Sequence, residues 1–455
     1  MTDTLCLHAR EVLLPDGWGK QVRIVIEDGS ITSIVPQSLP QPGDERHAVL
    51  LPGLPNLHSH AFQRGMAGFA ETRGPGADSF WTWREAMYRF VGRIGPDDLT
   101  AVAALAYVEM LESGFTRVGE FHYLHHDRDG QPFGDPAEMS LAIMAAAEAS
   151  GIALTHLPVF YAHAGFGGLA PHEGQRRFIH GLDDFARLLE GVRAAAAYLP
   201  DSIVGIAPHS LRAVTADELS ALSDLAGEAP IHIHIAEQVR EVEDCLQWSG
   251  ARPVEWLFEH AAVDRNWCLV HATHMTEAET MILATSGAVA GLCPITEANL
   301  GDGIFPASSF LAAGGRYGIG SDSNVRIDAT EELRLLEYGQ RLSLRQRNVL
   351  AAGVGASTGE ALWRGALKGG GQALGDHEAG IAIGRPADLV SLDTEHPSLW
   401  ERRNAQLIDG LIFAAGQPAV DCVWRRGRKV VSGGRHIARD RIAQIYRTAL
   451  AKMLI

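Results

Sequence analysis

The first residues whose type and spacing suit chemistry are two histidines in Leu54-Pro-Asn-Leu-His58-Ser-His60. If this segment is extended, both imidazoles project to the same side, because side chains alternate with a period of two along a strand. Two neutral imidazoles this close can bind a zinc-type ion. The pair alone is equally compatible with two hydrogen-bonded loop histidines, so a metal site requires further ligands from elsewhere in the chain.

A second pair of histidines supplies a candidate third ligand, in Ile231-His232-Ile-His234-Ile-Ala-Glu237. His234 stands near the end of this extended segment. Glu237 follows three residues later, close enough to move protons without binding the metal. His232 would lie on the same side but one layer lower, so we interpret it as a packed histidine.

Two more polar residues follow apolar segments, in Leu269-Val-His271 and in Gly318-Ile-Gly-Ser-Asp322. An isolated Asp in such a position usually caps a helix or forms a turn. Here, however, four separate segments end in potential ligands, in the order His-x-His, His, His, Asp. This repetition favours a shared metal site over coincidence.

The elements that must position these residues are short apolar segments alternating with helix-length ones, which is typical of a parallel sheet. Seven of the eight strand candidates carry His, Tyr, Asp or Glu at or just past their carboxyl ends. In a TIM barrel the active site lies at that face. We therefore predict a TIM-like (β/α)8 barrel with strands at Leu50–Leu57, Thr116–Phe121, Ala153–Val159, Ile203–Ala207, Ile231–Ile235, Trp267–Val270, Ala288–Leu292 and Tyr317–Gly320.

Both ends of the chain read as short strands separated by turns, which predicts a small β-sandwich domain built from the two termini. The strand-like segments are residues 22–26, 31–35, 387–392 and 420–431. The expected division is 1–52 and 383–455 for the β domain with a terminal helix over about 437–454, and 53–382 for the barrel. Gly369-Gly-Gly371 is typical of a loop.

Composition excludes several classes of protein. The 455 residues carry a formal charge of −16, which argues against a nucleic-acid partner. No apolar run approaches the roughly 18 residues of a membrane span. The first residues lack the basic and apolar parts of a signal peptide. Five scattered Cys form no CxxC pair and fit a reducing compartment, so we expect a cytoplasmic protein.

The whole constellation resembles the amidohydrolase superfamily, in particular its branch of mononuclear deaminases. Residues 293–306 and 384–393 are similar to that branch's loop after strand seven and its return to the β domain. The resemblance implies one divalent ion, Zn²⁺ first among the candidates, and suggests a homodimer. Matched residue by residue, it implies the metal ligands His58, His60, His234 and Asp322 and the catalytic residues Glu237, His271 and Asp322.

Scarcity of lysine disfavours two alternatives. The chain has four Lys, at positions 20, 368, 429 and 452, so none lies between residues 21 and 367. Binuclear relatives bridge two metals with a carboxylated Lys, or sometimes a Glu, from a middle strand, and Ile203–His209 contains neither. A two-metal hydrolase and a barrel enzyme that forms a Schiff base are both disfavoured.

The side chains around the expected pocket favour an anionic substrate. Two Arg with a Tyr and a His suit a small dianion, because Arg binds carboxylates through two hydrogen bonds. Each residue also has a structural reading: Arg84 could pair with Glu85, and Tyr123 could be a core ring. Three segments, 51–66, 78–85 and 331–341, are similar to the N-formimino-L-glutamate deiminase family. That resemblance implies the substrate contacts Gln63, Arg84, Tyr123, His209 and Arg212.

The same resemblance implies a reaction, the hydrolysis of formiminoglutamate to N-formylglutamate and ammonia in histidine degradation. Asp322 would accept a proton from water, His271 would orient the nucleophile, and Glu237 would protonate the departing nitrogen. Two alternatives stay open. One is another mononuclear deaminase, acting on guanine, cytosine or S-adenosylhomocysteine, and the other is a catalytically silent barrel that serves as a scaffold. The ligand set permits several divalent metals.

Overall fold

The computed structural model describes residues 4–73, 80–377 and 379–454. Asp78 and Ser79, which belong to a segment used in the substrate prediction, lie outside the described residues. The described strands are β1 (Thr4–Leu14), β2 (Gly17–Glu27), β3 (Ser30–Val35), β4 (Glu45–Pro52), β5 (Leu54–Ser59), β6 (Phe115–His122), β7 (Ala153–Phe160), β8 (Ile203–Val204), β9 (Ala207–Pro208), β10 (Ile231–Ile235), β11 (Trp267–His271), β12 (Val289–Leu292), β13 (Arg316–Ile319), β14 (Leu389–Leu392), β15 (Val420–Arg425), β16 (Arg428–Ser432) and β17 (Arg435–His436).

The helices of the described residues lie mostly between the strands of the middle region. They are α1 (Phe80–Val91), α2 (Pro96–Glu112), α3 (Glu138–Ser150), α4 (Leu182–Ala196), α5 (Ala216–Ala226), α6 (Val239–Ser249), α7 (Pro253–His260), α8 (Glu277–Ser286), α9 (Pro294–Leu300), α10 (Ala307–Ala312), α11 (Ala329–Leu344), α12 (Thr358–Ala373), α13 (Ala405–Gly410) and α14 (Arg439–Leu454). Among the described helices, none is both long enough and apolar enough to cross a bilayer.

The middle strands form a parallel barrel. Their order is β10-β11-β12-β13-β5-β6-β7-β8, and β9 continues the fourth position by pairing with β7. The ring closes where Ile206 pairs with Ile231 and Ser210 pairs with His234, both in parallel. Alternation of apolar strands with helices therefore builds the predicted (β/α)8 fold, and that prediction is confirmed.

Two strand predictions are corrected in detail, and in both a glycine is the reason. The predicted strand Leu50–Leu57 is two strands in two sheets, because the chain passes from β4 to β5 at Gly53. A Cβ there would overlap the side chain of Thr116. The fourth barrel strand is interrupted around Gly205, where a Cβ would overlap the carbonyl oxygen of Pro230.

Strands from both termini form the second sheet. Its order is β17-β16-β15-β14-β4-β1-β2-β3, so β4 and β14 join the amino- and carboxyl-terminal halves. These strands belong to one hydrogen-bonded sheet. Some of its buried side chains form a core of their own, including Leu7, Ile24, Leu389 and Trp424, whereas others, such as Val390 and Val423, join the core of the barrel. The domain boundaries at 52/53 and 382/383 stay a prediction.

The terminal helix α14 packs on α2 of the barrel. Arg439 at its start donates hydrogen bonds to Glu112 and Glu109, at 2.8 and 3.2 Å. Near its end, the carbonyl of Met453 accepts a hydrogen bond from Arg93 at 2.8 Å. The observed start at Arg439 is within two residues of the predicted one.

The prediction of a loop at Gly369-Gly-Gly371 is wrong, because these residues lie inside α12. The helix passes close to the barrel strands, and the glycines make room for it. A Cβ on Gly369 would overlap the carbonyl oxygen of Tyr317, and one on Gly370 would lie 3.1 Å from Cβ of Pro55. A tertiary contact therefore outweighs the low helix propensity of glycine.

Substitution Gly369→Ala tests this close packing. We expect a loss of about 3 kcal/mol or more in the free energy of unfolding, because neither backbone can move away without disturbing a barrel strand. Gly353→Ala is the control, since a Cβ there meets no atom within 4 Å. Its melting temperature should stay close to that of the parent protein. Equal melting temperatures for the two variants would contradict the explanation.

Candidate active site

Four ligand-type side chains converge at the carboxyl ends of β5, β10 and β13. One ligand atom from each of His58, His60, His234 and Asp322 lies within 4.8 Å of all the others. Nε2 of His58 and Nε2 of His234 are 3.0 Å apart, and Oδ1 of Asp322 is 3.3 Å from Nε2 of His60. The structure thus brings together the four residues for which the sequence predicts metal binding.

Backbone carbonyls hold two of the imidazoles in a fixed orientation. Nδ1 of His60 donates to the carbonyl of Phe121 at 2.8 Å, and Nδ1 of His234 donates to the carbonyl of His209 at 3.1 Å. Because Nδ1 carries the proton in each ring, Nε2 presents a lone pair to the centre of the group. This is the arrangement that a metal-binding histidine requires.

The charge states of the group also suit a cation. Burial lowers the pKa of the three imidazoles, that of His58 to about 3, so these rings are neutral near pH 7. Burial alone would raise the pKa of Asp322, but its hydrogen bond with His58 and the neighbouring imidazoles hold the pKa below its usual range. Three neutral nitrogens and one carboxylate are ligands that zinc accepts in a tetrahedral or open site.

Left-handed backbone at the strand ends aims several of these side chains. The φ angle is 49° at Ala236, 67° at His271 and 44° at Asp322, a region that residues other than glycine rarely adopt. Hydrogen bonds between main chains hold the strained segment: Asp322 N donates to His58 O, and His60 N donates to Asp322 O, both at 2.9 Å. Strain of this kind concentrates at functional sites, where the surrounding structure maintains it.

A buried polar network braces β5 against the segment that follows β13. The Asn56 side chain donates to Ser321 Oγ at 2.7 Å and accepts from Ser321 N at 3.0 Å. Asn324 accepts from Ser321 Oγ at 2.6 Å and donates to Ser59 Oγ at 3.1 Å. The network fixes the two strands that supply His58, His60 and Asp322.

Beside the four candidate ligands lie Glu237 and His271, the two residues predicted to handle protons. Nε2 of His271 is 3.9 Å from Oε1 of Glu237 and 3.9 Å from Oδ2 of Asp322. Burial raises the pKa of Glu237, although His271 and Arg212 oppose that rise. Burial alone would lower the pKa of His271, but Glu237, Glu297 and Asp322 raise it overall. A carboxyl group with a raised pKa can both accept and donate a proton near neutral pH.

Glu297, on α9, is a residue that the sequence analysis did not single out. Its Oε1 accepts from Nδ1 of His271 at 3.3 Å and from the backbone N–H of Cys293 at 2.9 Å. The carboxylate therefore keeps the proton of His271 on Nδ1 and turns Nε2 towards Glu237. Its place in the segment after strand seven was the available clue, but the contact joins two different strand ends and cannot be read from spacing.

Glu297→Gln is expected to lower kcat by about 10- to 100-fold, the range for carboxylates that orient histidines at metal sites. KM and metal content should change little, because Glu297 acts through His271. Glu279→Gln is the control. Glu279, on α8, is also fully buried, but it does not line the cavity, and its Oε2 accepts from Nε of Arg252 at 2.7 Å. A fall in kcat of similar size in both variants would show that Glu297 has only a structural role.

A cavity of about 580 Å³ opens above the ligand group. Several aromatic side chains and a few polar groups line it, which is typical of a small-molecule site. All five predicted substrate contacts are among the lining residues, together with Trp83, Tyr88, Tyr161 and Phe178, which the sequence analysis did not assign as contacts.

Arg84 and Arg212 give the cavity its charge. Among the described residues neither guanidinium has an ion-pair partner, so the pairing of Arg84 with Glu85 that the sequence left open is not formed. Nε of Arg212 is buried and has no hydrogen-bond acceptor within the described part of the chain. Burial alone would lower the pKa of Arg212, but the nearby carboxylates of Glu241 and Glu237 raise it overall. Two guanidiniums therefore line the cavity without forming an ion pair with a described carboxylate.

The other three predicted contacts lie on the barrel side of the same cavity. Gln63 Nε2 donates to Tyr123 Oη at 2.9 Å, which leaves Oε1 of Gln63 buried with no donor from the described residues. The turn that carries Gln63 is held by Glu120, whose Oε1 accepts from Ala61 N at 2.7 Å. Burial lowers the pKa of His209, and Arg212 lowers it further, so this imidazole is neutral.

Almost the whole chain matches known protein families. Residues 49–430 match the family described as "Amidohydrolase family", and residues 4–48 match "Formimidoylglutamate deiminase HutF, N-terminal domain". The first match covers most of the β domain's carboxyl-terminal strands as well as the barrel, in agreement with a sheet shared by both termini.

Individual relatives show the same relationship. The chain is 51% identical over 450 residues to a formimidoylglutamate deiminase of Pseudomonas aeruginosa, covering 98% of this chain and 99% of the relative. A 5-methylthioadenosine/S-adenosylhomocysteine deaminase of Natronomonas pharaonis is 28% identical, with 88% and 83% covered. The crystal structure of an amidohydrolase from Brucella melitensis is 56% identical with a TM-score of 0.97, covering 99% and 100%. The chain therefore belongs to the amidohydrolase family.

Proposed function

We propose that this protein hydrolyses formimidoylglutamate to N-formylglutamate and ammonia. The observation that carries the proposal is the pair of guanidiniums, Arg84 and Arg212, which line the cavity beside the His3Asp group and form no ion pair with a described carboxylate. A substrate with two carboxylates suits the two arginines in the outer half of the cavity. A hydrolysable carbon–nitrogen bond in the same substrate suits the His3Asp group in its inner half. The 51% identity to a formimidoylglutamate deiminase over nearly the whole chain supports the same substrate.

The outer half of the cavity would bind the glutamate part. Arg84 and Arg212 can each bind a carboxylate through paired N–H groups, and the buried setting strengthens such bonds. Tyr123 and His209 complete the wall between these arginines and the His3Asp group. Oε1 of Gln63, which has no donor among the described residues, could accept a hydrogen bond from the imino N–H of the formimino group. The product, N-formylglutamate, has a carbonyl oxygen in place of this N–H.

The inner half would carry out the hydrolysis. A divalent ion held by His58, His60, His234 and Asp322 would supply, when bound, the activation of water at neutral pH. Asp322 takes up the proton of the attacking water, and His271 orients the nucleophile through Nε2. Glu237 delivers a proton to the nitrogen that leaves as ammonia. The reaction consumes one water and needs no other reactant.

The proposal also covers the metal ion, the cellular compartment and the oligomeric state. We propose zinc as the native ion, because three imidazoles and a carboxylate are typical zinc ligands. The absence of lysine from the barrel strands supports a single ion. The scattered free cysteines fit a cytoplasmic protein. A homodimer is proposed from the family resemblance alone.

Ammonia release from four compounds tests the proposed function: formimidoylglutamate, guanine, cytosine and S-adenosylhomocysteine. We expect turnover of formimidoylglutamate with a kcat/KM far above that of the other three, because only this compound carries two carboxylates for Arg84 and Arg212. A higher kcat/KM for S-adenosylhomocysteine would favour the activity named for the Natronomonas pharaonis relative instead. Absence of turnover with a metal-loaded protein would favour the silent scaffold.

A further inference from the structure

A second, larger cavity adjoins the active-site cavity on its outer side. It has a volume of about 1010 Å³, is open to solvent, and shares Arg84 and Arg212 with the inner cavity. Phe166, Leu169 and Trp248 form its apolar wall. A molecule that reaches the inner cavity by this route must therefore pass the two arginines proposed to bind its carboxylates. We call this outer cavity the vestibule.

Three guanidiniums surround one indole at the boundary between the cavities. The guanidinium carbons of Arg84, Arg240 and Arg212 lie 4.6, 4.8 and 5.8 Å from the ring centroid of Trp81. Cation–π contacts of this kind hold arginines in place while leaving their N–H edges free. Arg240 lies farthest out, with 65% of its side chain exposed.

The carboxylates of Glu241 and Glu237 act on Arg212 from inside the protein, but little acidic charge lies on the vestibule side of the three arginines. Among the residues that line the vestibule, Asp244 is the one acid, 3.6 Å from Arg240 and 47% exposed. A surface ion pair of this kind is weak, so it does not prevent Arg240 from binding another anion. Like charges grouped around one ring repel each other, and a bound anion would relieve that repulsion.

The net charge of the whole protein opposes the approach of an anionic substrate, so a local group of positive charges would favour its capture. A formal charge of −16 repels a dianion at long range. Within a Debye length of about 8 Å at physiological salt, however, nearby charges dominate the potential. A cluster of three arginines at the cavity mouth can reverse the sign of the field along the route to the active site.

We propose that Arg240 and Trp81, with Arg84 and Arg212, form an outer anion-binding subsite that receives a dicarboxylate before it enters the inner cavity. This inference rests on the proposed function, since it takes the substrate to be a dianion. Arg240 forms the outermost contact and takes no part in the chemical step. Its contribution is to the capture of substrate, so it should appear in kcat/KM and not in kcat.

Arg240→Gln tests the subsite in the metal-loaded protein with formimidoylglutamate. One unit charge about 8 Å from a dianion in water changes its attraction enough for a loss of about five-fold in kcat/KM at low salt. For a formimino amino acid with a single carboxylate the corresponding loss is about two-fold. The decline of kcat/KM with rising salt should also become shallower, and Arg240→Lys should restore most of the loss because it restores the charge.

Arg187→Gln is the matched control. Arg187 is also exposed on a helix, at 63%, and is paired with an Asp of its own helix, Asp184, but it lies outside both cavities. Its kcat/KM and salt dependence should match those of the parent protein. If formimidoylglutamate is turned over but Arg240→Gln behaves like Arg187→Gln, the subsite is refuted and the proposed function stands. If no variant or parent turns over formimidoylglutamate, the proposed function itself fails.

Discussion

Glu237→Gln is expected to reduce kcat by about 10²- to 10⁴-fold while the protein keeps its metal and its fold. The amide has nearly the same shape as the carboxyl group, but it cannot carry a proton to the departing nitrogen. Oε1 of Glu237 lies 3.9 Å from Nε2 of His271, and Glu237 is outside the group of four proposed metal ligands, so its substitution should remove no ligand. The measurement is steady-state ammonia release together with metal content.

The matched control for this prediction is Glu332→Gln. Glu332 is a fully buried carboxyl group that accepts from the backbone N–H of Ile295 at 2.9 Å, and it does not line the cavity. Its substitution should lower the melting temperature more than kcat. Full activity of Glu237→Gln would rule out the proposed proton transfer. Loss of metal from that variant would instead place Glu237 among the ligands.

The sequence could predict that the four proposed ligands lie together, because the position of each depends on one local rule. Residues at the carboxyl ends of parallel strands meet at one face of a barrel, and side chains two apart on a strand share a side. These rules are enough to bring His58, His60, His234 and Asp322 together. They also place His232 one layer below His234, where it donates from Nε2 to the carbonyl of Ala373 at 2.7 Å.

What the sequence could not predict depends on contacts between distant elements. Glu297 orients His271 from a helix after a different strand, and Asn56 reaches Ser321 across 265 residues. The helical glycines of α12 follow from the close approach of Tyr317, which no local pattern of residues reveals. Helix propensity is a property of one residue in a helix that packs against nothing. The residue type at these positions is instead determined by the atoms of another element that pack against it.

The net charge of the chain is also a poor guide to the charge of the site. The net charge of −16 argues against a nucleic-acid partner, but it says nothing about the sign of the potential inside a cavity. Arg84 and Arg212 bring two positive charges to the cavity, and neither forms an ion pair with a described carboxylate. The sequence can place these arginines near the pocket by resemblance, but the fold is what brings them to the same cavity from different βα loops.

The pair of histidines on β10 allows the metal site itself to be tested. His234→Asn should lower the metal content of the purified protein and reduce kcat/KM by about 10³-fold or more, because it removes one of four ligands and with it the activation of water. His232→Asn changes the same residue type two positions earlier on the same strand. It breaks a buried hydrogen bond to Ala373, which should cost about 1–3 kcal/mol of stability but leave the metal in place.

The two variants separate metal binding from packing, since both imidazoles are buried and point to the same side of the strand. Metal analysis of each purified protein and of the parent, followed by assays with added zinc, gives the comparison. Added zinc should restore some activity to His234→Asn at high concentration, because three ligands remain, and it should not change His232→Asn. Equal metal content in all three proteins would refute His234 as a ligand. Loss of metal from both would show that the fold of β10, and not the imidazole of His234, determines whether the ion is bound.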